Sequence, residues 1–163
     1  MLLYHGSNIA VENPRLIEQT RGLDFGPGFY LTTDEKQAAR FSKIIVNRRK
    51  SGSPTVNVYN FDMEAAGKSL SICKFKSADA EWLRFVIDDR LKTYHGRAYD
   101  LVIGAVANDT LMPTIQAFLG GFLNEEAAII TLKTSRLVDQ FCLKSEKALL
   151  LLRFIKSYHT EEP

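Results

Sequence analysis

Strand-patterned and helix-patterned segments follow one another in this 163-residue chain without the strict alternation that a parallel sheet needs, and that order points to an α+β fold. Thr55 to Phe61 alternates with a period of two and reads as a half-buried strand. Further strands are expected at Leu2 to Ser7, Ser69 to Phe75, Tyr99 to Gly104 and Val138 to Lys144, the last as the final strand. Thr32-Thr33-Asp34-Glu35 resembles a capping box, opening a helix with Ala38, Phe41 and Ile45 on one face. Ala78 to Leu91 is amphipathic, with Trp82, Phe85, Val86 and Leu91 on the apolar side. Helices are also expected at Thr110 to Leu119, stopped by Gly120-Gly121, and at Glu125 to Lys133, capped by Asn124; a closing helix runs from Glu146 to Ile155. With 45% hydrophobic residues the chain can bury one core and is short for two, so residues 1–163 form a single domain.

A formal net charge of +2 with 25% charged residues gives no broad field for nucleic acid. The basic run Arg48-Arg49-Lys50 reads as a solvated helix end, its cations suited to the C-terminal dipole. Cys73 and Cys142 lie in apolar stretches without metal or disulfide spacing, as core thiols of a reduced compartment do. The start lacks a basic flank and apolar signal core, and Arg153 cuts short the run Ala148 to Leu152, so a cytoplasmic protein without a membrane span is expected. The leucines Leu149 to Leu152 are expected mainly in the core, with one face of the closing helix as a candidate surface for a small partner. His95 and His159 have no partners at metal-ligand spacing, and no metal is expected.

Two segments carry the chemistry. Leu2-Leu3-Tyr4-His5-Gly6-Ser7 brings a histidine into a glycine turn, and Gly26-Pro27-Gly28-Phe29-Tyr30-Leu31-Thr32 runs from a glycine-punctuated loop into a strand bearing a tyrosine. Between them Asn8 to Asp24 is a polar loop, long enough to be functional and expected to cover a ligand. Holding the nicotinamide end of NAD takes an open backbone edge for the carboxamide, an aromatic face for the ring and a polar group for the ribose. Gly6, Tyr30 and His5 can supply these in that order. The glycines near Gly26 do not follow a strand as a dinucleotide fingerprint should, so NAD would be a consumed substrate rather than a recycled cofactor. Asn108 and Asp109 follow a buried strand and are candidate substrate contacts, although N-capping is the favoured use of Asp109. Glu125 and Glu126 sit in a helical first turn and read as caps.

His-Gly-Ser, then Gly-x-Gly-Phe-Tyr before a helix, then a polar residue entering a late strand, together resemble the ADP-ribosyltransferase superfamily on its diphtheria-toxin and poly-ADP-ribose-polymerase side. Through Asp24 to Thr33 and Asp139-Gln140-Phe141-Cys142-Leu143, nearly the full chain is similar to a group of small bacterial ADP-ribosyltransferase-like proteins, read as toxins paired with a small antitoxin. The resemblance implies two abutting, mostly antiparallel sheets that grip NAD, with helices outside. It implies transfer of one ADP-ribose unit from NAD to a macromolecular acceptor, protein or nucleic acid, with release of nicotinamide. Under it His5 hydrogen-bonds the adenosine ribose, the Gly6 backbone meets the nicotinamide amide, Tyr30 stacks on the ring and Phe41 supplies a second aromatic; Ser7 and Gly28 complete the NAD-binding set. His5, Tyr30 and Gln140 form the catalytic set. Two positions depart from the pattern: Ala38 stands where many relatives carry a serine, and Gln140 where chain-elongating relatives carry a glutamate. Losing that charge beside an oxocarbenium-like state costs about 3–4 kcal/mol. The competing readings are an NAD glycohydrolase and a non-catalytic NAD- or ADP-ribose-binding module.

Overall fold

The alternation of Thr55 to Phe61 becomes the central strand of the first of two sheets in the computed structural model, which describes residues 1–17, 22–106, 112–133 and 138–160. In that sheet β1 (Leu2–Ser7) and β7 (Leu152–His159) flank β3 (Thr55–Phe61), both antiparallel to it. The second sheet has the order β2 (Phe29–Leu31), β6 (Asp139–Leu143), β5 (Leu101–Ala105), β4 (Ile72–Lys74), antiparallel except for the β4–β5 pair. The domain is thus α+β with antiparallel-rich sheets.

Side-chain alternation sorts the strands' residues into three apolar clusters. Leu3, Tyr59 and Phe61 of the first sheet meet Phe29, Leu31, Phe141 and Leu143 of the second. On the far face of the second sheet, Val102 and Cys142 meet Trp82, Leu83, Phe85 and Val86 of α3 (Ala80–Leu91), with Ile115 of α4 (Met112–Leu119) and Ala128 and Leu132 of α5 (Glu125–Lys133). On the outer face of the first sheet, Val56 and Val58 meet Ala38 of α1 (Glu35–Arg49). Helix starts follow the side chains that can cap them. Asp34, Asp79 and Asn124 each accept a hydrogen bond from a backbone N–H three residues on, at 2.8–3.0 Å. At α1 the cap is therefore Asp34 rather than a threonine, and the Thr32 hydroxyl oxygen instead accepts from the Asp34 N–H.

Three expectations need correction. The strand expected at Ser69 to Phe75 shrinks to β4, because Asp62 caps a short helix, α2 (Met63–Ser69), that takes its first residue. Leu91, expected on the core side of α3, is 56% exposed. The closing helix Glu146–Ile155 does not form. One turn capped by Ser145, α6 (Glu146–Leu149), is followed by β7, which displaces β6 as the last strand. Pairing with the second edge of β3 outweighs the local helical reading, and Phe154, Ile155 and Tyr158 are residues that suit a strand. The leucine run splits accordingly, with Leu149 and Leu152 buried and Leu150 84% exposed, so it forms no helical face for a partner.

Gly6 shows how closely α1 lies on the first sheet: a Cβ there would stand 2.1 Å from the Ala38 carbonyl oxygen and 2.8 Å from the Ser42 nitrogen. Both are helix backbone, so relief requires α1 to move. Gly6→Ala is expected to lower stability by about 1–3 kcal/mol, measured as a shift in urea unfolding at unchanged slope.

Candidate functional site

The two sheets touch through backbone hydrogen bonds at one point among the described residues. Tyr4 N–H donates to Thr32 O at 2.8 Å, and Thr32 N–H donates to Tyr4 O at 3.0 Å. Continuing that antiparallel register would set Gly6 across from Tyr30, but no ladder bond forms there and the strands part. Backbone groups alternate in direction along a strand, so the N–H and C=O of Gly6 point, like those of Tyr4, away from β3 and toward this gap. Among the described residues no backbone group bonds Gly6 on that side, and Gly6 itself is buried.

His5 spans the gap with its side chain. Its Nδ1–H donates to Tyr30 O at 2.7 Å, which fixes the neutral tautomer and leaves Nε2 as an acceptor. The imidazole lies 4.4 Å from the Phe29 ring. Burial pushes its pKa down to about 4; the bond to the Tyr30 carbonyl opposes this and the Arg49 cation adds to it. Ser7, buried at the end of β1, shares the His5 face of the strand.

Tyr30 turns its ring to the opposite face from Phe29, against the cluster that holds Phe25 and Cys142. Its hydroxyl donates to Gly26 O and accepts from Phe25 N–H at 3.2 Å, and burial holds its pKa well above the ordinary phenol value. The phenol thereby ties the loop before β2 to its own strand. Gly28 lets that loop lie on β6, since a Cβ there would be 2.4 Å from Cys142 Sγ. Arg90 of α3 forks onto Asp24, with Nε at 2.8 Å from Oδ1, and Lys144 Nζ donates to Phe25 O. Phe41 is half-buried on α1, next to the buried Ser42.

The long polar loop is pinned at both described ends. Asn8 bonds Ser51 O at 3.1 Å and receives Arg49 Nη1 at 3.0 Å, so one member of the basic run serves as a tether. Val11 N–H donates to the buried Asn57 Oδ1 at 2.7 Å, and Tyr59 OH donates to Val11 O. Asn108 and Asp109 lie outside the described residues.

On β6, Gln140 sits opposite Gly104, on the face shared with Cys142 and, through the β2–β6 register, with Tyr30. Its Nε2 is buried without a hydrogen-bond partner among the described residues. Asp139, one residue earlier, accepts from Thr32 Oγ1 at 3.0 Å, Thr33 N–H at 2.8 Å and Thr33 Oγ1 at 2.7 Å. Sequence reasoning gave Asp139 no role. Its one signal was the Thr32-Thr33 pair after Tyr30, separated from it by more than a hundred residues. Glu125 takes a two-pronged ion pair from Arg84 at 2.8 Å, so its charge is already matched. Among the described residues no group of three or more His, Cys, Asp or Glu could hold a metal, and no helix is long and apolar enough to cross a membrane.

Residues 1–154 match the family described as Protein of unknown function (DUF3990). The chain belongs to the DUF3990 family. No curated protein and no solved structure matches it. A functional reading of this DUF3990 protein therefore stands on the site alone. The gap can receive an amide at the Gly6 edge and accept a hydrogen bond at His5 Nε2, whereas the Gln140 amide is buried on the Cys142 face of β6.

His5 also makes stability depend on pH. Its folded pKa of about 4 lies below its ordinary value of 6.5, so between these values the unfolded chain binds the proton more readily. The stability held above pH 6.5 should fall as acid is added. The Tm of the wild type should decline from pH 6.5 to 5 more steeply than that of His5→Asn, as read by circular dichroism melts at each pH.

Proposed function

We propose that this DUF3990 protein is an NAD-dependent mono-ADP-ribosyltransferase that moves ADP-ribose from NAD to a macromolecular acceptor and releases nicotinamide. The observation that carries the reading is the gap where β1 and β2 part, with the unpaired Gly6 backbone on one side, Tyr30 on the other and His5 across it. A carboxamide can complete the missing ladder bonds at Gly6. The Tyr30 and Phe41 rings are the candidates for the two faces of the nicotinamide, a contact worth about 0.5–1.5 kcal/mol beyond area burial. His5, neutral and donating through Nδ1, offers Nε2 to a ribose hydroxyl.

In the reaction the bond between the ribose C1′ and the nicotinamide nitrogen breaks. Its electron pair leaves with the ring and neutralises the pyridinium charge. The acceptor's nucleophile donates a pair to C1′ and gives up its proton to solvent. Gln140 brings no negative charge to the oxocarbenium-like state, an omission of about 3–4 kcal/mol, which favours a slow single transfer to an activated acceptor over chain elongation. As a toxin the enzyme would act in the cytoplasm, held in check by a small antitoxin protein. The second reading is a non-catalytic NAD- or ADP-ribose-binding module, or a glycohydrolase with water as acceptor. The module is favoured by the absence of charge at Gln140 and by the three hydrogen bonds that already occupy Asp139.

Incubation with labelled NAD and a bacterial lysate tests this, following nicotinamide release and label transfer. Wild type should release nicotinamide and label a macromolecule, and His5→Ala and Tyr30→Ala should each lower both by about tenfold or more. Tyr30→Phe keeps the ring while dropping the loop bonds, and should retain more activity than Tyr30→Ala. Free ADP-ribose alone would identify a glycohydrolase, binding without turnover a module, and absence of NAD binding would overturn the proposal.

A further inference from the structure

The net charge of +2 conceals an uneven distribution of the charges. Lys36, Arg40, Lys43, Asn47 and Lys50 follow one another at alternating spacings of four and three residues, which sets them in one row along α1 and its C-cap. At a rise of about 1.5 Å per residue the row is about 20 Å long. The packed face of α1 is turned another way: Ala38 and Ser42 lie on Gly6 of β1, and Ala39 packs on the cluster of Val56 and Val58. Lys36 and Lys43 stand one helical turn to either side of Ala39, so the row leans toward β3 and β7. β7 continues the same surface. Lys156 lies across from Val58 and Tyr158 across from Val56, so both share the outer face of the first sheet with α1, and Tyr158 OH donates to Glu35 Oε1 at the start of that helix. Leu152 and Phe154 turn inward to the core, and by alternation Arg153 turns outward. Six cations thus share one side of the molecule, Lys36, Arg40, Lys43, Lys50, Arg153 and Lys156, all exposed except the half-buried Lys43. None is ion-paired with a described residue: Arg40 Nη2 donates to the neutral Gln37 Oε1 at 2.8 Å, and Lys156 Nζ lies 5.8 Å from the centre of the Tyr158 ring. The acids of the helix start, Asp34 and Glu35, lie at one end of the row and accept hydrogen bonds there.

We infer that this surface binds the phosphodiester backbone of a nucleic acid. Neighbours in the row stand about 5–6 Å apart, so each cation can meet a different phosphate of an extended strand. Like charges held together without counter-charges make a local positive field that a polyanion relieves, whatever the net charge of the chain. An acidic protein is the less suited occupant, since four of the six cations are lysine, a residue depleted from protein interfaces. None of the six lines the gap between β1 and β2, so the inference goes beyond the NAD reading and stands without it.

Fluorescence anisotropy with a labelled single-stranded oligonucleotide of about 15 nucleotides and mixed sequence tests this, over about 50 to 200 mM salt. The proteins are wild type, K36Q/R40Q, R153Q/K156Q and, as an equal loss of charge elsewhere, K74Q/K76Q at the β4 edge of the second sheet. Wild type should bind with a Kd of about 1–100 μM and lose affinity steeply as salt rises. K36Q/R40Q and R153Q/K156Q should each weaken binding about tenfold at the lowest salt and flatten the slope of log K against log salt by about 1, at unchanged Tm. K74Q/K76Q should stay within about threefold of wild type. Absence of salt-dependent binding by wild type would overturn the inference, as would an equal loss in K74Q/K76Q. Polyglutamate or phosphatidylserine vesicles that bind as tightly as the oligonucleotide at equal charge would also overturn it, and would assign the surface to an acidic protein or a membrane instead.

Discussion

One backbone pair, Tyr4 with Thr32, decides how the two sheets of this domain relate. Had the ladder continued, β1 and β2 would have merged the sheets into one and sealed the Gly6 edge. Because it stops, backbone groups of β1 are left facing a gap, which is where the candidate site lies. The gap is held at a set width by contacts on either side: α1 pressed on Gly6, the His5 imidazole reaching Tyr30 O, and Asp139 gripping the Thr32-Thr33 corner. Two of these are hydrogen bonds made by side chains, and the third is a steric stop of helix backbone on Gly6.

Much of the fold could be read from local pattern. The strand at Thr55–Phe61, the Asn124 cap and the amphipathic run through Trp82 came out because their signals lie within a few residues of one another, although that strand, expected to be half-buried, is buried on both faces between α1 and the second sheet. The failures share a cause. Leu152 to His159 is a strand because β3 has a second edge to offer, and nothing inside the segment announces that edge. The candidate site divides in the same way. His5, Gly6 and Tyr30 could be named from two short segments, but Asp139 meets the threonines across more than a hundred residues, and the unmet amide of Gln140 is visible only in three dimensions.

Strand alternation gives Asp139 and Gln140 separate tasks. The carboxylate faces the Thr32-Thr33 corner and is saturated there, while the amide faces the aromatic cluster and is not. A charged group next to an uncharged one looks like a single polar motif in sequence. In the folded strand the first is a fastener, and the second has bonding capacity to spare.

The position of β7 bears on how the chain reaches this state. Thr55 and His159, which meet at one end of the β3–β7 ladder, are 104 residues apart, and the intervening segment supplies β4, β5 and β6, three of the four strands of the second sheet. Closing so long a loop is entropically slow, so the expected order leaves the second edge of β3 unpaired while the rest of the domain condenses. During that interval Val56, Val58 and Tyr59 lack part of their cover, and the exposed edge is a template for any stray strand. The same topology that keeps the two sheets apart thus makes the last step of sheet assembly the one most exposed to aggregation.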